Sequence, residues 1–193
     1  MRKPDATTDP YALLQDRLDA VRKLVGKMDE TAAERLIQMI IRAERTFLTG
    51  KGRSGLVAEC FAMRLMQTGF EVHVPGEATC PRIRRNDLMV AVSCSGTTMT
   101  TVQMGRVAQR SGAQLVAVTA DPNSPLAEMA DHVLLVPVTG QDLKESYRDV
   151  MGPYNNTLFE EAVLLYCDAV VESVLGRENI PERVLQDRHT NLE

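Results

Sequence analysis

An α/β chain built on a parallel sheet with helices on both faces is the fold this sequence predicts. Three observations lead there. Short apolar segments alternate along the chain with segments whose apolar residues recur three and four positions apart, so strands and helices take turns. Leu88-Met89-Val90-Ala91-Val92 is apolar at every position, as expected of a strand covered on both faces. Two apolar segments run directly into turns rich in glycine and hydroxyl residues, at 50–55 and 93–98, and each turn opens a helix. In a parallel sheet both turns lie at the edge formed by the carboxyl ends of the strands, where ligands of such sheets bind.

The elements follow in order. Residues 1–10 read as a loose tail, and one domain fills 11–193. Tyr11, Leu14, Leu18, Val21, Val25 and Met28 form the apolar stripe of a first helix, which Gly26 stops. Thr31-Ala32-Ala33-Glu34 has the letters of a capping box, and Leu36, Ile37, Ile40 and Ile41 carry a second helix, completing a helical pair over 11–45. An α/β core over 46–175 comes next. Its five strands are predicted at 46–49, 70–74, 88–92, 115–119 and 133–136. Its helices are predicted at 56–67, from the 93–98 turn to about Arg110, after Ser124-Pro125, and from Thr157 to about Leu175. A C-terminal helix and tail occupy 181–193.

Composition narrows the function. In 193 residues, 44% are hydrophobic and 25% charged, enough for one packed core and unlike a disordered chain. A net charge of −4 argues against a nucleic-acid or anionic-membrane surface. With no tryptophan, four tyrosines and four phenylalanines, a base-stacking platform is not expected. Cys60, Cys80, Cys94 and Cys167 show no metal or redox spacing with one another or with His73, His132 and His189, so reduced, mostly buried thiols in a cytoplasmic protein are expected. No leader peptide or membrane span is read from the sequence.

The two turns carry the chemistry. Gly50-Lys51-Gly52-Arg53-Ser54-Gly55 matches the dinucleotide fingerprint in its letters and equally suits a tight strand-to-helix turn. The second turn is more informative: Ser93, Ser95, Thr97 and Thr98 place four hydroxyls at a helix start, with Gly96 permitting close approach. One hydroxyl suffices for a cap; four, together with helix N-terminal amides, can surround a phosphate. The Gly-Lys-Ser/Thr of a nucleoside-triphosphatase loop is absent.

These two turns together resemble the phosphosugar-binding pair of the sugar isomerase (SIS) domain. Phe61-Ala62-Met63-Arg64-Leu65-Met66, Gly76-Glu77-Ala78-Thr79-Cys80-Pro81, Ser124-Pro125-Leu126-Ala127, Leu158-Phe159-Glu160 and Arg188-His189-Thr190-Asn191-Leu192-Glu193 narrow the resemblance to the 6-phospho-3-hexuloisomerase family, over residues 11–193. The resemblance implies a three-layer sandwich around a five-stranded flavodoxin-like sheet and a homo-oligomer (usually a tetramer); the carbonyl shift it implies needs no redox cofactor and a metal is optional, so neither a cofactor nor a metal is expected. It implies interconversion of arabino-hex-3-ulose 6-phosphate and fructose 6-phosphate, within the ribulose monophosphate pathway of formaldehyde fixation.

Such a carbonyl shift needs a base for the C2 proton and a group to move protons between the oxygens. Glu160, from the Leu-Phe-Glu motif, is the candidate base, although Thr157-x-x-Glu160 is also the pattern of a capping box. Glu161 is the poorer candidate. His189 is the candidate for the oxygen steps, and the resemblance implies that such a histidine serves another subunit's site. Gly52, Arg53, Ser54, Ser93, Ser95, Gly96, Thr97 and Thr98 are the candidate phosphate and sugar contacts. His132, His73 and Arg64 are read as structural.

Two departures stand out. Cys94 replaces the glycine of the family's second turn, with room to crowd the phosphate, and Pro153-Tyr154-Asn155-Asn156-Thr157 replaces a shorter connection. Two other functions fit parts of the chain. A non-catalytic phosphosugar sensor would use the same turns, although 1–45 holds no basic recognition helix. A nicotinamide-dependent dehydrogenase would use Gly50, Gly52, Gly55 and Glu77 and leave the hydroxyl-rich turn unexplained.

Overall fold

Acidic side chains set the first two helix starts. In α1 (Pro10–Val25), Asp9 accepts the Tyr11 N–H at 3.2 Å, and Pro10 occupies the first turn. In α2 (Glu30–Arg42), Asp29 accepts the Thr31 N–H at 2.8 Å. The capping box expected at 31–34 is therefore displaced: Asp29 is the cap, and Glu34 pairs with Arg177 at 2.7 Å. The helix starts two residues earlier than expected, with the Asp29 carboxylate satisfying one of its orphan amides, the Thr31 N–H. These observations come from a computed structural model that describes residues 9–138 and 156–192, the side chain of Asn156 excepted. Most of the expected tail and Pro153-Tyr154-Asn155 lie outside the described residues.

The remaining elements are β1 (Thr46–Gly50), α3 (Arg53–Gln67), β2 (Val72–His73), β3 (Leu88–Val92), α4 (Met99–Arg110), β4 (Gln114–Thr119), α5 (Pro125–Met129), β5 (His132–Leu135), α6 (Asn156–Arg177) and α7 (Glu182–Arg188). All five strands are parallel, in the order β2-β1-β3-β4-β5. This is the flavodoxin-like order, and its direction reverses between β1 and β3.

Alternation along the strands divides the core. Leu48, Val90, Val92, Val116, Val118 and Leu134 face a layer made by α1, α2, α3 and α6. Phe47, Met89, Ala91, Leu115 and Ala117 face α4 and α5. The three-layer sandwich expected from the sequence is thus present, and β3 is buried at all five positions because each side chain meets one helical layer or the other.

The connection 74–87 crosses from β2 over β1 to β3 without a helix. Ile83 packs beside Phe47 in the second layer. Asp87, its side chain fully buried, accepts from Arg45 Nε at 3.0 Å, Arg45 Nη2 at 2.6 Å and the Arg84 N–H at 2.7 Å. This two-pronged ion pair holds the crossover at the amino end of the sheet, and the neighbouring carboxylate raises the Arg45 guanidinium above its ordinary value.

Several boundaries differ from expectation. The second strand contracts from 70–74 to two residues, because it pairs with β1 alone at the sheet edge and runs into Pro75-Gly76. The C-terminal helix, expected over 181–192, ends at Arg188. The apolar stripe of α1 is buried only near its C-terminal end, at Val21 with Leu24 beside it, while Tyr11, Leu14, Leu18 and Val25 are exposed. Cys60 is exposed and Cys80 half-buried, so only Cys94 and Cys167 fit the expectation of buried thiols.

Candidate functional site

β1 and β3 are direct neighbours in register, with Gly50 opposite Val92, so the two glycine- and hydroxyl-bearing turns leave the sheet side by side. Each is followed at once by a helix, α3 or α4, whose first amides have no intrahelical acceptor.

The first turn owes two of its glycines to packing. A Cβ on Gly50 would meet Ser54 O at 2.8 Å, and one on Gly55 would meet Gly50 O at 3.0 Å, so the start of α3 lies directly on the end of β1. Gly52 is different: it caps α3 at φ 60°, and a Cβ there would enter open space. The fingerprint glycines thus serve a tight strand–helix contact at two positions and an open backbone turn at the third.

Glu160, in the first turns of α6, has a side chain only 8% exposed. Its carboxylate forms an ion pair with Arg53 Nε and a longer contact, 3.4 Å, with Ser54 Oγ. The expected capping-box alternative is not what this glutamate does; it reaches across to the start of α3. Arg53 is 63% exposed at its side chain, so the guanidinium bridges the buried carboxylate and solvent. Glu161 turns elsewhere and pairs with Arg17 at 3.0 Å.

In the second turn the hydroxyls bind one another. Ser93 Oγ donates to Thr98 Oγ1 at 3.0 Å; Ser95 Oγ and Thr97 Oγ1 lie 2.8 Å apart, and the Thr97 N–H donates to Ser95 Oγ at 3.3 Å. Thr98 stands at the cap of α4, yet its side chain makes no cap bond. Gly96, at φ 62°, serves a contact the sequence did not suggest: a Cβ there would fall onto Ser124 Oγ and lie 3.0 Å from Thr119 Oγ1. Its close approach is to the β4–α5 connection. The Leu126 N–H donates to Gly96 O at 3.2 Å, and Thr119 Oγ1 donates to Cys94 O at 3.0 Å. Thr119 and Ser124 therefore support the turn from behind, a role hidden in the sequence because Ser124 already explains itself as the cap of α5.

Cys94 does not stand among the turn's hydroxyls. It is 6% exposed and packs in the core cluster beneath the turn with Val92 and Val118, so the expected crowding of the phosphate position is not supported by its burial.

His189 is the one candidate set apart. It is the C-cap of α7, with Nδ1 3.1 Å from Thr190 O. The neighbouring Arg188 lies against Gly69, where a Cβ would be 3.8 Å from its Nε. Gly69 follows the carboxyl end of α3, whereas Ser54 and Glu160 meet at the amino end. Fifteen helical residues separate these ends, roughly 22 Å at 1.5 Å per residue. Within one chain, His189 and Glu160 are not brought together.

The other polar residues agree with structural roles. His73 Nε2 lies 3.1 Å from Glu71 and its ring packs on Phe47. His132 Nε2 lies 3.0 Å from Ala32 O, tying β5 to α2. Arg64 donates to Gln67 at 3.2 Å within its own helix. Among the described residues, no cluster of three or more histidine, cysteine, aspartate or glutamate side chains is placed to hold a metal, and no helix is long and apolar enough to cross a membrane.

Residues 39–149 match the model of the SIS domain. The chain is 35% identical over 189 residues to 3-hexulose-6-phosphate isomerase of Mycobacterium gastri, covering 98% of this chain and 92% of that one. It is 32% identical over 176 residues to the enzyme of the same name from Bacillus subtilis, with 91% and 95% covered. It superposes with a TM-score of 0.81 and 29% identity on a protein of Methanococcus jannaschii whose crystal structure was taken to infer a molecular function of 3-hexulose-6-phosphate isomerase, with 94% and 99% covered.

Proposed function

The chain belongs to the SIS domain family, and from that premise we propose that it is a phosphosugar isomerase that interconverts arabino-hex-3-ulose 6-phosphate and fructose 6-phosphate. Near-full-length similarity to enzymes of that name supports the substrate. The geometric observation that carries the mechanism is the buried Glu160 carboxylate at the start of α3, at the strand edge where two uncapped helices begin.

The phosphate would sit over the amino ends of α3 and α4, among Ser54, Ser93, Ser95, Thr97 and Thr98, where backbone amides and the helix dipoles favour an anion. Gly52 leaves the backbone open there, and Arg53 carries a positive charge to the same edge. Binding the remote phosphate fixes the reacting carbons against Glu160. In the forward direction Glu160 takes the C2 proton of the 3-ketose, C2 and C3 share the enediol double bond, and the protonated Glu160 carboxyl returns a proton to C3, so that in reverse it takes the C3 hydrogen of fructose 6-phosphate. The proton on the C2 oxygen moves to the C3 oxygen, and the carbonyl is left at C2. Atoms and electrons balance with no external oxidant or reductant.

His189 enters this reading as a residue of a neighbouring subunit, since its own chain places it at the far end of α3. Exposed apolar side chains on α1 and α3, among them Leu14, Leu18, Leu56 and Met63, offer surface for a second copy, in keeping with a cytoplasmic homotetramer. If His189 works in trans, mixing Glu160→Gln chains with His189→Ala chains restores activity to the hybrid oligomers. Mixtures as inactive as their components would contradict action in trans, and a fully active His189→Ala variant would remove His189 from the reaction.

Carbon NMR of labelled fructose 6-phosphate incubated with the protein tests the reaction. The 3-ketose is expected to accumulate to equilibrium, with pentulose phosphates unchanged. Tight binding of fructose 6-phosphate with no new carbonyl signal would favour the sensor reading.

A further inference from the structure

The opposite edge of the sheet, where the strands begin, holds a second polar concavity. One cavity of about 400 Å³ is lined by Arg42, Glu44, Arg85, Asn86, Gly112 and Gln114. An adjoining one of about 280 Å³ shares Arg42 and Gln114 and adds Arg35, Gln38, Met39 and Asp131. Arg35, Gln38, Met39 and Arg42 are spaced as one face of α2, so this helix aims two guanidiniums at the cleft while Arg85 approaches from the turn before β3.

Arg35, Arg42 and Arg85 make no ion pair among the described residues, in a chain whose net charge is −4. The two carboxylates on the rim offset part of this charge without forming an ion pair with any of the three, which leaves the lining one positive charge in excess. Glu44 accepts from Asn86 Nδ2 at 3.0 Å, and Asp131 accepts the Leu115 N–H at 2.8 Å. Arg45, at the same edge, is engaged by Asp87. Three unpaired guanidiniums around one concave surface repel one another and are satisfied by a multivalent oxyanion, which matches their planar donor forks.

We infer that the amino edge of the sheet is a second anion site, separate from the catalytic edge, and that it takes a small ligand bearing a phosphate or diphosphate group. The combined cavity admits a phosphorylated metabolite or a nucleotide, and the amides of Gln114 and Gln38 would meet its neutral part. The length of the strands places it at the other end of β1 and β3 from the turns at 50–55 and 93–98. Two phosphorylated ligands can then be held at once.

Calorimetric titration of the full chain with inorganic pyrophosphate, with fructose 6-phosphate present to occupy the catalytic edge, tests this. Binding is expected to persist, to be unchanged in Ser95→Ala, and to weaken at least tenfold in Arg42→Ala and Arg85→Ala, both of which keep wild-type isomerisation. Proton–nitrogen NMR of the same titration is expected to shift the amides of Gly112 and Gln114 and not those of Ser95 or Gly96. Competition by fructose 6-phosphate, equal affinity in the arginine variants, binding only of a long polyanion such as RNA, or shifts confined to the 93–98 turn would each overturn the site.

Discussion

The helices of this protein begin in two different ways. α1, α2 and α5 each start under a side chain that accepts a backbone amide: Asp9, Asp29 and Ser124. α3 and α4 start with no such bond, although Ser54, Ser93, Ser95, Thr97 and Thr98 stand at or near their first turns. α7 also lacks a side-chain cap, but it is a seven-residue surface helix far from that edge. A cap contributes about 1 kcal/mol. Leaving two neighbouring starts uncapped forgoes that stability and leaves helix N-terminal amides that an external anion could satisfy. On the proposed reading, the difference separates residues that hold the fold from residues that meet substrate.

The strongest way to break the comparison is Glu160→Gln. Removing a positioned base costs about 10²–10⁴-fold in rate, so isomerisation is expected to fall about a thousandfold with fructose 6-phosphate still bound; wild-type turnover in the variant would remove the carboxylate from the chemistry. Next is Gly96→Ala. Its Cβ falls onto Ser124 Oγ at a backbone angle, φ 62°, that alanine rarely adopts, so chemical denaturation should show a loss of about 2 kcal/mol. Ser124→Gly in the same chain returns part of it, and a neutral Gly96→Ala would mean the turn is not held from behind.

Ser95→Ala sharpens the contrast. It is expected to raise KM for fructose 6-phosphate about tenfold, the scale of one hydrogen bond to a charged group, with thermal stability hardly changed. Asp29→Ala is expected to do the reverse, lowering stability by about 1 kcal/mol with KM unchanged; if the two variants behaved alike, the division between caps and contacts would fail. The smallest effect belongs to Glu34. Its carboxyl is held down to about 2 from 4.5, first by Arg177 and then by Gln38. Its contribution is therefore present above pH 4.5 and lost as pH falls toward 2. The melting-temperature gap between wild type and Glu34→Gln should close over that window and shrink in high salt, as for any exposed pair. A gap that persisted at pH 2 would return Glu34 to the helix-start role its position in the sequence suggested.

What the sequence revealed and what it hid follow from the range of the forces involved. Strand β3 and the Ser124-Pro125 start of α5 were legible because burial on both faces and a local cap are written in adjacent residues. Both turns and Glu160 were legible as candidates, the turns from local composition and the glutamate from a family motif. The partner of Glu160 was not, because Arg53 lies 107 residues away and only the packing of α3 on α6 joins them. Shorter but still non-local separations concealed Ser124 behind Gly96, and Asp87 behind Arg45. His189 shows the opposite case: a family motif marks it as a candidate, while the packing of its own chain sets it apart from Glu160.

Proton exchange in D₂O, followed by proton NMR on fructose 6-phosphate, tests the central claim most directly, because the sugar reports which carbon the base reaches. The account predicts that the wild-type protein washes out the hydrogen on C3, the position equivalent to the new ketone of the product, and that Glu160→Gln does so about a thousandfold more slowly. Exchange at C1 alone, or C3 exchange undiminished in Glu160→Gln, would contradict it.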